Sequence, residues 1–254
     1  MKLFLALLAT LVLAYGSEIP EPKHLGLKAT DIASEETLAK LVEALKKFSQ
    51  DGDTSGIFNL EMNSMIDELL NDLRNIIIRQ GLDPMNLEDE TLQLLGIVGS
   101  MKLTNGWLQD LSTILRYEDI IVSYNSANKT ITFLMPLSFR DLLFTYDYVT
   151  RVLLFSVSGD VHGKIVDVHM DLTLTYDAVN GFILDNINMK DSGKVTIEFT
   201  GNHLVDWLTN AMTACITTVL HPLIVKILQS NVESIGKEVV VAINDYIKNY
   251  GITL

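Results

Sequence analysis

The feature that most constrains this chain is its last long stretch, His203 to Tyr250. Apolar residues recur there at three- and four-residue steps: Leu204, Leu208, Ala211, Met212, Cys215, Ile216, Val219, Leu220, Leu223, Ile224, Ile227, Leu228, Val232, Ile235, Val239, Ile243 and Ile247. That spacing lays one broad apolar stripe along a helix. About 45 residues at 1.5 Å each reach roughly 65–70 Å, so an elongated partner must cover the stripe. Pro222 lacks the amide that would bond to the Thr218 carbonyl, and its ring crowds that carbonyl. A kink or break near His221, giving two joined segments, is the expectation.

The cover is expected from the middle of the same chain. From Leu92 to Thr200 the period changes from 3.6 to 2. The series Leu95, Ile97, Met101, Leu103; Ile120, Val122, Tyr124; Ile131, Phe133, Met135, Leu137; and Leu153, Phe155, Val157, Val161 read as strands. Pro136 marks an edge or an exit, and Trp107 to Leu115 reads equally as short helix or strand. In the clearest strand, Ile165 to Tyr176, residues Val166, Val168, Met170, Leu172, Leu174 and Tyr176 face one way. Asp167, His169, Asp171, Thr173 and Thr175 face the other. Phe182 to Met189 and Val195 to Phe199 complete the set. One apolar and one polar face is the pattern of an antiparallel sheet packed on one side. The economical fold is α+β: a long C-terminal helix wrapped by a strongly curved antiparallel sheet, with N-terminal helices before it. Those helices are read at Ser34 to Phe48, capped by Ser34, and at Phe58 to Gln80, ended by Gly81. Asp51 to Gly56 between them is a turn, since the twelve-residue calcium-loop pattern is absent.

The N-terminus reads as a targeting segment. A dozen apolar residues, Leu3 to Ala14, follow Lys2 and precede the small residues of Ala14-Tyr15-Gly16, which is the pattern of a secretory signal peptide ending at residue 16. Residues 17–254 are then one domain, secreted and extracellular. Ser17 to Ala33, with Pro20 and Pro22, reads as a loop. No later run of about 20 residues is free of charges or polar breaks, so stable membrane insertion is not expected. Asn128-Lys129-Thr130 is a glycosylation sequon in a polar turn.

Charge and chemistry narrow the function. Net charge is −13, and removing Lys2 with the leader leaves 18 basic against 32 acidic residues, −14. A phosphate-binding surface needs the opposite sign, so nucleic acid is not an expected partner. The single cysteine, Cys215, excludes an internal disulfide and sits on the apolar stripe as a small hydrophobe. No nucleophile elbow, P-loop, dinucleotide fingerprint or His-Glu-x-x-His occurs. Asp167, His169 and Asp171 share one strand face about 7 Å apart, too splayed for a tight metal site, and read as a solvated face. No catalytic residue, metal or cofactor is assigned.

A sheet wrapped on a cylinder rarely fills the space between them, and adaptable side chains suit such a gap. The expected apolar lining is Met101, Phe133, Met135, Phe155, Val157, Val168, Met170, Leu172, Met189, Leu208, Met212, Cys215 and Ile216. An apolar small molecule (lipid, fatty acid or terpenoid) is the expected ligand. The alternative is a secreted interaction module with a filled core and a protein partner. A homodimer is open in either case.

Asp83-Pro84-Met85, the acidic spacer after it, Leu94 to Leu103 (LLGIVGSMKL) and Leu103 to Ile114 (LTNGWLQDLSTI) resemble the group 7 mite allergens and their secreted arthropod relatives. The resemblance runs from about Leu38 to Tyr246. It implies a tubular lipid-binding fold shared with takeout-like and juvenile hormone-binding proteins and with each half of bactericidal/permeability-increasing protein. Takeout-like members carry an N-terminal cysteine pair that this chain lacks, which favours the group 7 branch.

Overall fold

The computed structural model describes residues 21–51, 55–153, 155–177, 179–201 and 205–248. The expected signal peptide, the loop residues 17–20 and residues 52–54 of the expected acidic turn lie outside the described residues.

Three helices come first: α1 (Ala29–Ile32), α2 (Glu35–Asp51) and α3 (Ser55–Arg79). The short α1 interrupts what the sequence presents as loop; the Lys28 amide donates to the Asp31 carboxylate at 2.9 Å and seats its first turn. Ser34 caps α2, its hydroxyl accepting from the Thr37 amide at 3.1 Å. Asp51 closes α2, and Ser55 and Gly56 already belong to α3. At the end of α3, Gly81 (φ +68) turns left-handed. The amide of Leu82 then bonds back to the Ile77 carbonyl and that of Gly81 to Ile78, the paired bonds of a glycine-stopped helix.

Eight antiparallel strands form one sheet: β1 (Met85–Leu87), β2 (Glu90–Gln93), β3 (Gly99–Gln109), β4 (Ile114–Arg116), β5 (Ile121–Asn125), β6 (Thr130–Val152), β7 (Phe155–Asp177) and β8 (Gly181–Phe199). β3, β4 and β5 lie in line along one side of β6; β7 and β8 follow on the other. The ambiguous stretch from Trp107 resolves into the end of β3, a 3₁₀ turn at Leu111–Thr113, and β4. Leu95 and Ile97 lie in the turn between β2 and β3, while Met101 and Leu103 of that series are fully buried in β3.

Pro136 sits mid-way along β6 and is buried, so it does not end the strand. Its carbonyl accepts from the Tyr117 amide, so its missing N–H points to the same side, where residues 117–120 interrupt the line of β4 and β5. The edge expected there exists, but it is a gap inside the sheet.

The inward face of the long strands changes parity half-way. In β6 the inward buried positions are Ile131, Phe133, Met135, Leu137 and Phe139, then Leu142, Phe144, Tyr146, Tyr148, Thr150 and Val152. In β7 they are Val157, Val161 and Ile165, then Val168, Met170, Leu172 and Tyr176. Between Phe139↔Val168 and Asp141↔Val166, Arg140 and Asp167 drop out of the ladder, and Asp167 has φ +60. A left-handed residue turns the strand over; aspartate tolerates that conformation better than most side chains. Ile165, not Val166, is therefore the inward residue before the switch, and the single alternation expected for this strand holds only from Val168 onward.

The chain closes with α4 (Asp206–Cys215), a π turn (Ile216–Leu220) and α5 (His221–Lys248). Pro222 does not break this run. The His221 amide bonds to the Ile216 carbonyl, five residues back, so an extra residue is looped into the helix just before the proline. Threonine hydroxyls reinforce the turn: Thr217 donates to the carbonyls of Thr213 and Ala214 at 2.9 and 3.1 Å, and Thr218 also donates to Ala214. The result is one helical run of 43 residues, long and apolar enough by length and composition to cross a bilayer. Half of its most apolar window is buried, and that side faces the sheet.

The helix touches both edges of the sheet. The Cys215 thiol meets the Gln93 carbonyl of β2 at 3.0 Å. On β8, His221 Nε2 lies 2.9 Å from the Ser192 carbonyl, and Gln229 donates to the Ile187 carbonyl at 3.2 Å. Asn244 accepts from the Phe182 amide at 2.7 Å and donates to the Phe182 carbonyl at 2.8 Å. The amide of Asn244 thus mimics a neighbouring strand, and Gly181 is needed beside it: a Cβ there would lie 2.5 Å from Asn244 Oδ1. Contact with both edge strands means that the sheet curls round the helix.

Candidate functional site: an apolar cavity

The two halves of the closing helix meet different interiors. Leu208, Met212, Cys215, Ile216 and Leu220 are fully buried against fully buried Met101, Leu103, Phe144, Val161 and Ile165. Packing is tight at Gly163, where a Cβ would lie 1.9 Å from the Phe144 ring that covers it from the paired strand.

From Leu228 onward a space opens between the helix and part of the sheet, and α1 to α3 supply its third side. The space between them is a cavity of about 140 Å³. The second half of the helix supplies Leu228, Asn231, Val232, Ile235, Gly236, Val239, Val240 and Ile243. The sheet side supplies Leu111, Ile114, Ile120, Phe133, Met135, Leu137, Phe139, Leu172, Leu174 and Phe182. The third wall is Ile32, Leu41, Met62, Ile66, Leu69, Leu70, Leu73, Ile77 and Leu82. Residues of this wall carry no ionisable side chain, and Asn231 is the one polar side chain among them. A dry apolar void of this size holds a benzene-sized molecule; a longer chain requires the helical wall to yield.

That wall is pinned to the sheet by polar contacts around its rim. Arg116 grips Asp67 of α3 with two bonds, Nη2–Oδ2 at 2.9 Å and Nε–Oδ1 at 3.1 Å. Arg74 donates to the Ile114 carbonyl at 2.7 Å. Asn63 accepts from the buried Ile120 amide and donates to Asp119, both at 2.9 Å. Thr37 ties α2 to Glu68 of α3 at 2.8 Å. Asp83 accepts from the amides of Asp110 and Ser112, both at 2.8 Å, and so fixes the turn after α3 to the turn before β4.

A strap of the N-terminal chain crosses α5 at the same end. Glu238 accepts from His24 Nδ1 at 2.9 Å and from the amides of Leu25, Gly26 and Leu27 at 2.8, 2.7 and 3.4 Å. Burial opposes the charge, but His24 and the three amides together outweigh it and hold the carboxyl below the ordinary glutamate range. A depressed pKa contributes stability above the unfolded value of about 4.3, and the contribution is lost as pH falls through the folded value. Wild-type protein is therefore expected to be more stable than Glu238→Gln at neutral pH, with the gap closing as pH drops below about 4. Denaturant melts of both across that range measure it; a gap that stays constant would remove Glu238 as its source.

Of the lining expected from sequence, Phe133, Met135 and Leu172 border the cavity. Met101, Val157, Val168, Met170, Leu208, Met212, Cys215 and Ile216 are buried but lie outside its wall, most of them in the filled half. Met189 is half-buried, and Phe155 is 46% exposed, its ring edge-on to Trp207 at 6.1 Å. Burial pushes the Cys215 thiol up. The α3 face also lines the cavity: Met62, Ile66, Leu69, Leu73 and Ile77 form an apolar stripe whose need for a cover is readable in the sequence, and Asn231, an amide inside an aliphatic stripe, is the sharper sign.

The polar row on β7 is engaged elsewhere. The His169 ring stacks on Tyr117, centroids 4.4 Å apart, and Lys190 pairs with Asp171 at 2.9 Å. Asp171, expected in solvent, is 9% exposed beneath that cover. Among the described residues no group of three or more His, Cys, Asp or Glu side chains could hold a metal ion. Asn128 is exposed in the turn between β5 and β6.

Residues 61–240 match the family model described as Group 7 allergen. No curated protein sequence matches the chain. Among solved structures it is similar to Takeout 1 of Epiphyas postvittana, at 19% identity over 76% of this chain and 89% of that one, with a TM-score of 0.36. It is also similar to lipopolysaccharide binding protein, at 12% identity over 63% of this chain and 34% of that one, with a TM-score of 0.42, and so spans about a third of that protein's length.

Proposed function

Because this chain belongs to the group 7 allergen family, with an apolar cavity inside its fold, we propose that it is a secreted, non-enzymatic binding protein for an apolar small molecule. The observation that carries the reading is the cavity itself: about 140 Å³ lined by aliphatic and aromatic side chains with one amide among them. Interiors are normally filled, and a formed apolar void is the usual signature of a binding site. Burial of ligand surface supplies the affinity, at about 25 cal/mol per Å² before ordering is subtracted. The helical wall, held to the sheet by a few rim contacts, is the part that yields to a longer ligand. Secretion rests on the leader pattern of residues 1–16, and Asn128 is the position a glycan would take.

The test is extraction of the purified secreted protein followed by mass spectrometry, with titration of a fluorescent apolar probe alongside. A copurified apolar molecule, or saturable one-to-one uptake, is expected. Ligand at a hundred times its Kd adds about 2.7 kcal/mol, which raises Tm by roughly 5–10 °C in a chain of this size. No extracted molecule, no saturation and no shift in Tm together reject the reading.

A further inference from the structure

We infer that the cavity selects an uncharged ligand bearing a hydrogen-bond donor, such as an alcohol or phenol, with Asn231 as the residue that reads it. The inference rests on the cavity being the ligand site and adds the ligand's chemical class. Asn231 is 8% exposed and stands on the cavity wall among Leu228, Val232 and Ile235. Its Nδ2 donates to the Ile227 carbonyl, one turn back, at 2.8 Å. That bond fixes the amide: the opposite orientation would set oxygen against oxygen. It leaves Oδ1 as an acceptor, and no hydrogen bond among the described residues engages it.

Oδ1 is the one side-chain acceptor on an otherwise apolar wall, and a ligand hydroxyl is the group that can donate to it. A hydrocarbon of the same shape leaves it as it is. A carboxylate meets a wall with no Lys, Arg or His to pair its charge and with a carbonyl oxygen that repels it. The same absence of cations disfavours phosphate-bearing lipids. Specificity of this kind arises from one polar group placed in an apolar wall.

The experiment compares 2-phenylethanol, its near-isostere propylbenzene, and phenylacetate at pH 7, each by displacement of an apolar fluorescent probe, in wild type and in Asn231→Leu. In wild type the ratio of alcohol to propylbenzene affinity is expected to be about ten times that in the variant, and phenylacetate is expected to bind at least a hundredfold more weakly than the alcohol. Propylbenzene binding reports that the variant is folded; should leucine prevent folding, Asn231→Ala is read in the same way. Equal ratios in wild type and variant overturn the role of Asn231 while leaving the cavity as a binding site. Phenylacetate binding as tightly as the alcohol overturns the neutral-ligand selection. Failure of all three compounds and of the probe to bind overturns this inference together with the reading of the cavity.

Discussion

Met212→Asp is expected to leave little or no folded protein at 25 °C. Met212 is fully buried in α4 and lies outside the cavity wall. A carboxylate there has no partner. It either stays charged in an apolar surrounding or takes up a proton, and protonating it at pH 7 costs about 4 kcal/mol, set by the gap between that pH and the ordinary aspartate value. Loss of the methionine's packing adds about 2–5 kcal/mol. A whole domain is stable by about 5–15 kcal/mol, so the sum removes most or all of it. Circular dichroism and a denaturant melt read the outcome. Asp171→Asn is the matched control on the opposite face of the sheet. It keeps the shape and loses an ion pair to the half-exposed Lys190, worth about 1 kcal/mol or less. Equal loss in the two variants would mean that the faces of β7 are assigned backwards.

Val240→Phe is expected to weaken uptake of an apolar probe by more than tenfold while the protein becomes no less stable. Val240 is on α5, 8% exposed, with its side chain on the cavity wall. A cavity of about 140 Å³ accommodates roughly one benzene ring, and the phenyl group would occupy that room in place of a ligand. Filling an existing void commonly raises stability by about 0.5–2 kcal/mol. The combination is what carries the test, because a merely damaged protein loses both. Full probe affinity in a stably folded Val240→Phe would show that the ligand lies elsewhere.

The sequence was most informative where one physical requirement acted alone. A stripe of 3.6 period from Leu208 to Ile247 had to be covered, and the only apolar surface long enough was the alternating region before it. Ser34 and Gly81 announced the bounds of helices by chemistry that reads directly from residue type. Legibility failed where two requirements met. Alternation from Ile165 to Tyr176 assumes continuous extended backbone, and one left-handed residue, Asp167, reverses it without changing any side chain's hydropathy. Pro222 removes a hydrogen bond, but whether the helix breaks or loops out one residue depends on the surrounding packing, which residue type alone does not state. The cavity was the least legible. Whether an apolar interior is filled is a small difference between large volumes, and Met212 and Met135 look alike in a sequence although one is packed on all sides and the other borders space. The helices α2 and α3 read as bystanders because nothing in their own pattern states which half of the sheet they cover.

The outer edge of β8 is covered at Ser192, Ile187 and Phe182 by His221, Gln229 and Asn244, side chains of the closing helix, and among the described residues by no ninth strand. An edge sealed in this way is only as safe as the element that seals it. A chain truncated within the helix, or nicked there by a protease, would keep a 19-residue strand with its outward peptide groups uncovered, a template onto which a second copy could add strand by strand. Resistance to fibre growth is in that sense stored in the element that follows the strand it protects, and it is acquired only once that helix has been made and has docked.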